Sequence, residues 1–239
     1  MLEKLRYLAK HSGLEQGIKS TYKNLTPLLI RDSISRNYSN PYSQLEVKHK
    51  VIFVHIPKNA GNGVAISLFD EKPKGHNFLK SYKKYDVVKF NEFYKFSFTR
   101  NPWARFYSAY SYLKKGGFGV YDKEFAKKYI GDLDFNSFTN KLENEKFASK
   151  ILSWTHFIPQ REFIEIDGKI NLDFLGKVED MDHNLEILSQ RLGLPLPKNK
   201  KVNTSVSKGF DFSDEYNDTS VDIIAKLYKD DISLSDYQF

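Results

Sequence analysis

A short run of β-branched and aromatic residues that stops at a proline, and turns at once into lysine and glycines, has few ways to fold. Residues 51–63 read Val-Ile-Phe-Val-His-Ile-Pro-Lys-Asn-Ala-Gly-Asn-Gly. The run from Val51 to Ile56 predicts a strand covered on both faces. Ala60, Gly61 and Gly63 let the backbone come close to a ligand. A helix from about Asn62 to Phe69 would point its first N–H groups at that ligand, and Lys58 adds a mobile positive charge. A phosphate-like group suits this loop. The triphosphate loop G-x-x-x-x-G-K-[ST] carries its lysine after the second glycine, with a hydroxyl for magnesium beside it. Here Lys58 precedes both glycines and Asn59 follows it. A magnesium-dependent kinase on a related fold therefore fits less well, and alone the segment could be a plain strand-to-helix turn.

A second segment changes that balance. Residues 93–110 read Phe-Tyr-Lys-Phe-Ser-Phe-Thr-Arg-Asn-Pro-Trp-Ala-Arg-Phe-Tyr-Ser-Ala-Tyr. Alternation from Phe93 to Thr99 predicts a strand, with Arg100 at its carboxyl end. Asn101 is a good N-cap, and Pro102 fits the first helical position because its missing N–H costs nothing there. Trp103, Phe106, Tyr107 and Tyr110 recur at helical spacing and should face the core. Arg100 and Ser108 together can grip one phosphate, the arginine by a forked charge-assisted contact and the serine by its hydroxyl. Ligands of open α/β sheets sit outside the carboxyl ends of the strands, so two grips there suit a ligand with two separated phosphate-like groups.

The residues His55-Ile56-Pro57-Lys58-Asn59-Ala60-Gly61-Asn62-Gly63 and the Arg100–Tyr110 stretch resemble the two cofactor motifs of sulfotransferases that use 3′-phosphoadenosine 5′-phosphosulfate (PAPS). The closest likeness is to the carbohydrate O-sulfotransferase branch, with its uronyl 2-O-sulfotransferase type enzymes and bacterial relatives. Phe174–Asp180, Asn203-Thr204-Ser205 and the terminal Asp236-Tyr237-Gln238-Phe239 extend the resemblance over about residues 50–239. It implies a P-loop-like sulfotransferase fold. It places Lys58 at the sulfuryl bridge, residues 58–63 around the 5′-phosphosulfate, Arg100 and Ser108 on the 3′-phosphate, and Ser205 at the cofactor. Lys201, Ser205 and Lys208 could close over it as a lid, or form a solvated basic loop. The family's two threonines and serine in the first motif are here Asn59, Asn62 and Gly63, so amides or backbone must replace hydroxyl contacts. The desulfated product would be 3′-phosphoadenosine 5′-phosphate (PAP), and a catalytically inactive nucleotide-binding module is a further alternative.

Sulfuryl transfer needs charge stabilisation on the leaving oxygen and a base for the acceptor hydroxyl. Lys58 serves the first. For the second, His76 stands in Lys74-Gly75-His76-Asn77 between the motifs, where related enzymes carry a Gly-His pair, and its unperturbed pKa is near neutral. Asp70 and Glu71 are the fallback. His55, at a strand end, reads as structural. His156, in Ser153-Trp154-Thr155-His156-Phe157, reads as either a wall of the acceptor cleft or part of a packed aromatic cluster. No metal is required, and the six histidines form no HExxH pattern and have no cysteine partners.

Composition bounds the rest. Thirty-seven basic against 30 acidic residues give a net charge of +7, which favours anionic partners: the cofactor and an acidic acceptor such as a polysaccharide or lipopolysaccharide. No helix–turn–helix or RNA-binding motif accompanies that charge, so nucleic acid is not expected. The absence of cysteine rules out a disulfide framework, and with no apolar run of membrane length and no signal-peptide core, a cytoplasmic bacterial enzyme is expected. Strands alternating with helices predict an α/β fold, a central parallel sheet flanked by helices. Residues 1–49 read as a basic helical lead-in packed on the body, and 50–239 as the sulfotransferase domain. A further strand is predicted over Asp173–Val178, and helices over Phe135–Leu142, over Met181–Leu192 closed by Gly193 and Pro195, and over Val221–Tyr228.

Overall fold

The strand segments expected near residues 51, 93 and 173 pair side by side, all in one direction. The computed structural model describes residues 40–195 and 211–239. Ser205, Lys201, Lys208 and most of the lead-in lie outside them. In chain order, α1 (Gln44–His49) leads into β1 (Val51–Val54), α2 (Gly61–Phe69), α3 (Leu79–Tyr85), α4 (Val87–Glu92) and β2 (Tyr94–Thr99). A helical block follows: α5 (Pro102–Lys114), α6 (Gly119–Phe125), α7 (Phe135–Asn140) and α8 (Glu145–Leu152). Then come α9 (Gln160–Ile164), a small antiparallel hairpin of β3 (Glu165–Ile166) and β4 (Lys169–Ile170), β5 (Phe174–Lys177) and α10 (Met181–Leu192). After residue 211, α11 (Asp218–Leu227) and α12 (Lys229–Ser235) complete the described chain.

The sheet is parallel, in the order β1–β2–β5, with Val51 opposite Tyr94 and Phe96 opposite Phe174. Period-two alternation sends Ile52 and Val54 to one face, with Phe78, Tyr82 and Phe163, and Val51 and Phe53 to the other, with Val64, Leu68 and Leu185. All four β1 residues are buried, as a strand covered on both faces requires. The ladder ends at Val54 rather than Ile56, because the Ile56 N–H turns back to the Val54 carbonyl (3.1 Å) and takes the chain off the sheet.

Local signals placed several helices. The Asn101 side chain accepts from the N–H groups of Trp103 (3.0 Å) and Ala104 (3.2 Å), and Pro102 opens α5. Trp103, Phe106 and Tyr110 are buried, as the stripe predicts, and Tyr107 packs beside them. α10 ends where expected, with Gly193 in the left-handed region (φ 63°). The expected helix over 135–142 stops at Asn140 and tightens into a 3-10 turn over Lys141–Glu143. The last predicted helix begins earlier, because Asn217 caps it at the Ser220 N–H. Aromatic residues fill the helical block: Phe106, Phe125, Phe138, Trp154 and Phe157 form one core with α11. The body also reaches upstream of residue 50, since Tyr42 and Leu45 are buried in the clusters on either side of the sheet. Among the described residues no helix is long and apolar enough to cross a membrane.

Candidate functional site

The loop after β1 holds an unusual backbone. Lys58 (φ 71°) and Ala60 (φ 55°) both lie in the left-handed region, which side chains with a Cβ rarely adopt. Three side chains hold it there, two from elsewhere and one of its own. Arg105 Nε donates to the Pro57 carbonyl (3.0 Å), Arg100 Nη1 donates to the Lys58 carbonyl (3.1 Å), and Asn59 Nδ2 donates to the Phe98 carbonyl and to Gln160 Oε1 (2.7 Å each). The chain then enters α2 with Ala60 at the N-cap, a residue without a side-chain oxygen. The first N–H groups of α2, at Gly61, Asn62 and Gly63, therefore have no side-chain cap. Asn62 is exposed and Gly63 half-buried.

Two expectations for this loop change in detail. Asn59 is buried and spends both amide hydrogens on the fold, so its side chain cannot replace a hydroxyl at an anion. Gly61 is needed for a neighbour: a Cβ there would lie 1.9 Å from the Cδ2 atom of His55, whose ring fills the space.

Arg100 ends β2 beside the loop, so the two cationic motifs meet at the carboxyl ends of adjacent parallel strands. Gln160, fully buried, joins them. Its Oε1 also accepts from the Arg100 N–H (2.9 Å), and its Nε2 donates to the Arg100 carbonyl (2.8 Å). Asp231 in turn accepts from the N–H groups of Gln160 (2.7 Å) and Arg161 (2.8 Å), at the start of α9. On the other side of Arg100, Glu179 accepts from the Asn101 N–H (2.7 Å) and from the Tyr237 hydroxyl (3.1 Å), which ties the chain terminus to the site. Asp236, where the resembling motif has glycine, sits at φ 50°. Ser108 is half-buried, on the second turn of α5, and no hydrogen bond joins it to Arg100.

The electrostatics are cationic and partly desolvated. Burial, then the charge of Arg100, pushes the Lys58 ammonium down to about 8, with Asp122 opposing. Its Nζ lies 4.2 Å from the centre of the Tyr112 ring, a cation–π contact. Arg105 is buried, and its Nη2 has no hydrogen-bond partner among the described residues.

His76 reaches this centre. Its Nδ1 lies 2.9 Å from the His55 carbonyl, and the two rings are 4.3 Å apart. A carbonyl can only accept, so the proton of a neutral His76 sits on Nδ1 and its Nε2 carries the lone pair. Burial lowers its pKa to about 4, against the hydrogen bond to the His55 carbonyl. Asp70 and Glu71 stand at the other end of α2, about 13 Å away at 1.5 Å per residue. Glu71 pairs there with Lys48 (2.8 Å). His156 is buried beside His76 and Tyr112 and 3.2 Å from Asp122. Gln160, Asp231 and Asp122 carried no motif in the sequence. The nearest signal was the Gly116-Gly117-Phe118-Gly119 turn, since Gly117 (φ 58°) leaves room for the Asp122 side chain, which would lie 2.4 Å from an added Cβ. Among the described residues no group of three or more histidine or acidic side chains is placed to hold a metal ion.

Comparison with known proteins points to one family. Residues 43–238 match the family model described as "Sulfotransferase family". An uncharacterized protein of Archaeoglobus fulgidus is 26% identical over 125 residues, covering 51% of this chain and 85% of its own. No solved structure matches.

Proposed function

The chain belongs to the sulfotransferase family, and on that premise we propose that it transfers a sulfuryl group from PAPS to a hydroxyl of a carbohydrate acceptor. The observation that carries this reading is the junction of the two motifs. The Arg100 guanidinium donates to the carbonyl of Lys58, so both cations stand at the carboxyl ends of neighbouring strands, around uncapped helix N–H groups. That cradle fits an anionic nucleotide: an ammonium, free backbone donors, a half-buried guanidinium and an unpartnered Nη2 on Arg105. Lys58 and the amides of residues 60–63 would hold the 5′ end. Arg100 and Ser108 would hold the 3′-phosphate. When bound, PAPS supplies an activated sulfuryl group.

The chain's own part is positional and electrostatic. Lys58 neutralises charge that grows on the departing oxygen, and the N–H groups opening α2 share that task. His76, neutral and fixed by the His55 carbonyl, offers Nε2 as the base for the acceptor hydroxyl. The family match lends no support to a magnesium-dependent kinase or an inactive module. The surplus of basic residues favours an acidic glycan acceptor, a polysaccharide or lipopolysaccharide.

Two measurements test the reading. PAP should raise the melting temperature of the protein more than ATP with magnesium does, and radiolabelled sulfate should pass from PAPS to an acid glycan. Preference for ATP with magnesium would overturn it. Arg100→Ala should weaken PAP by about 10- to 100-fold, the range of a lost charge-assisted contact. Unchanged affinity in calorimetry would remove Arg100 from the donor site.

A further inference from the structure

Behind Lys58 and His76 lies a second acid–base pair with no role in the assignment above. His156 Nε2 is 3.2 Å from Asp122 Oδ1. The other carboxylate oxygen, Oδ2, accepts from the Tyr112 hydroxyl (2.8 Å) and the Phe118 N–H (3.1 Å). Burial works against the charge on Asp122, but hydrogen bonds from His156, Tyr112 and Phe118 hold its carboxyl below the ordinary range. An ionised carboxylate only accepts, so a neutral His156 carries its proton on Nε2 and its lone pair on Nδ1.

That Nδ1 is buried and has no hydrogen-bond partner among the described residues. Unpartnered buried polar atoms are few in folded proteins, and each asks for a reason. The His156 ring touches the ring of Tyr112 (4.9 Å) and meets that of His76 edge-on (6.2 Å). Two neighbouring imidazoles thus carry one uncommitted lone pair each, Nε2 on His76 and Nδ1 on His156.

We propose that His156, oriented by Asp122, takes over the proton that His76 removes from the acceptor hydroxyl. The inference rests on the sulfuryl-transfer reading above. As the acceptor O–S bond forms and the S–O bond to the leaving phosphate breaks, the hydroxyl proton moves to His76 Nε2. Once the two rings close from the 6.2 Å between their centres to hydrogen-bond contact, it passes to Nδ1 of His156, leaving His76 neutral and an imidazolium paired with the Asp122 carboxylate. His76 alone is a poor resting place for that charge. It is desolvated and the positive charge of Arg105 acts on it, and the hydrogen bond to the His55 carbonyl offsets this only in part. His156 has a full negative charge beside it, the arrangement by which a carboxylate orients an imidazole and stabilises the imidazolium that forms. His156 and Asp122 are positioning residues here; neither is asked to touch the acceptor.

Nitrogen NMR of the histidine rings in the unliganded protein tests the pair without turnover. The neutral His156 ring should show a protonated Nε2 and an unprotonated Nδ1, and Asp122→Asn should lose that preference. A neutral ring with its proton on Nδ1 in the wild type would overturn the relay. In turnover, His156→Asn keeps a donor for Asp122 but cannot hold a proton. It should fold, bind PAP as the wild type does, and slow by on the order of 10²-fold, within the range for positioned proton transfer. His76→Ala combined with His156→Asn should be no slower than His76→Ala alone. Losses that multiply would mean the two rings act independently, against the proposal. A wild type that moves no sulfate from PAPS would sink the donor reading, and the NMR result would still decide the Asp122–His156 pair.

Discussion

Lys58→Ala is expected to lower turnover by about 10³-fold while leaving the fold intact. Removing one preorganised donor from a developing oxyanion costs 10² to 10³, and a full positive charge in a partly dry site belongs at the upper end. The fold should survive because the ammonium's recorded contact is with the face of Tyr112, while the loop is held through backbone carbonyls by Arg105 and Arg100. The same lysine sets an alkaline limit. Burial and Arg100 lower its pKa to about 8, so it is charged below that pH and neutral above it. Donor affinity of the free enzyme should therefore fall as pH rises through about 8, and kcat/KM, which reports the free enzyme, should show that limb. In Lys58→Arg, whose guanidinium stays charged, the limb should move up. Lys58→Ala at wild-type rate, or an identical alkaline limb in Lys58→Arg, would remove the lysine from the donor site.

What could be read from the sequence was what depends on neighbours along the chain. β1 followed from a β-branched run, β2 from alternation, and α5 from Asn101 and Pro102. α10 followed from leucine spacing and Gly193. The convergence of Lys58 and Arg100 was inferable because parallel strands put their carboxyl ends on one side. The remainder depends on partners far apart in the chain. Asn59 looked available to an anion, yet its amide faces Phe98 and Gln160, the latter 101 residues away. Gly61 looked like a concession to a ligand, and the ring it accommodates belongs to His55. His156 had two readings, cleft wall or packed aromatic, because the carboxylate that distinguishes it sits on α6, behind a glycine turn with no catalytic signature. Buried polar networks of this kind carry no periodicity, so hydrophobic patterning cannot reveal them.

The largest effect on the fold is expected at Gln160. Gln160→Leu keeps the volume and removes three side-chain hydrogen bonds at once: those accepted from Asn59 Nδ2 and the Arg100 N–H, and that donated to the Arg100 carbonyl. Asn59 retains its bond to Phe98, but both backbone polar groups of Arg100 lose the partner that satisfied them. At 1 to 3 kcal/mol for each buried group left unsatisfied, the expected loss is about 4 kcal/mol. For a chain of this size that corresponds to a fall of roughly 8–16 °C in melting temperature. The variant should also bind PAP less tightly even where it is still folded, because Gln160 is the side chain that fixes the β1 loop and the end of β2 to each other. Gln160→Glu separates the two effects. It keeps acceptors for Asn59 and the Arg100 N–H but offers no donor to the Arg100 carbonyl, and its carboxylate would sit beside Arg100 and Lys58, competing with an anionic ligand. It should therefore melt closer to the wild type than Gln160→Leu does and yet bind PAP more weakly than that melting temperature alone would suggest. If both variants keep wild-type melting and PAP affinity, the two motifs are held together by Arg100 and Lys58 themselves, and the role assigned to Gln160 is wrong.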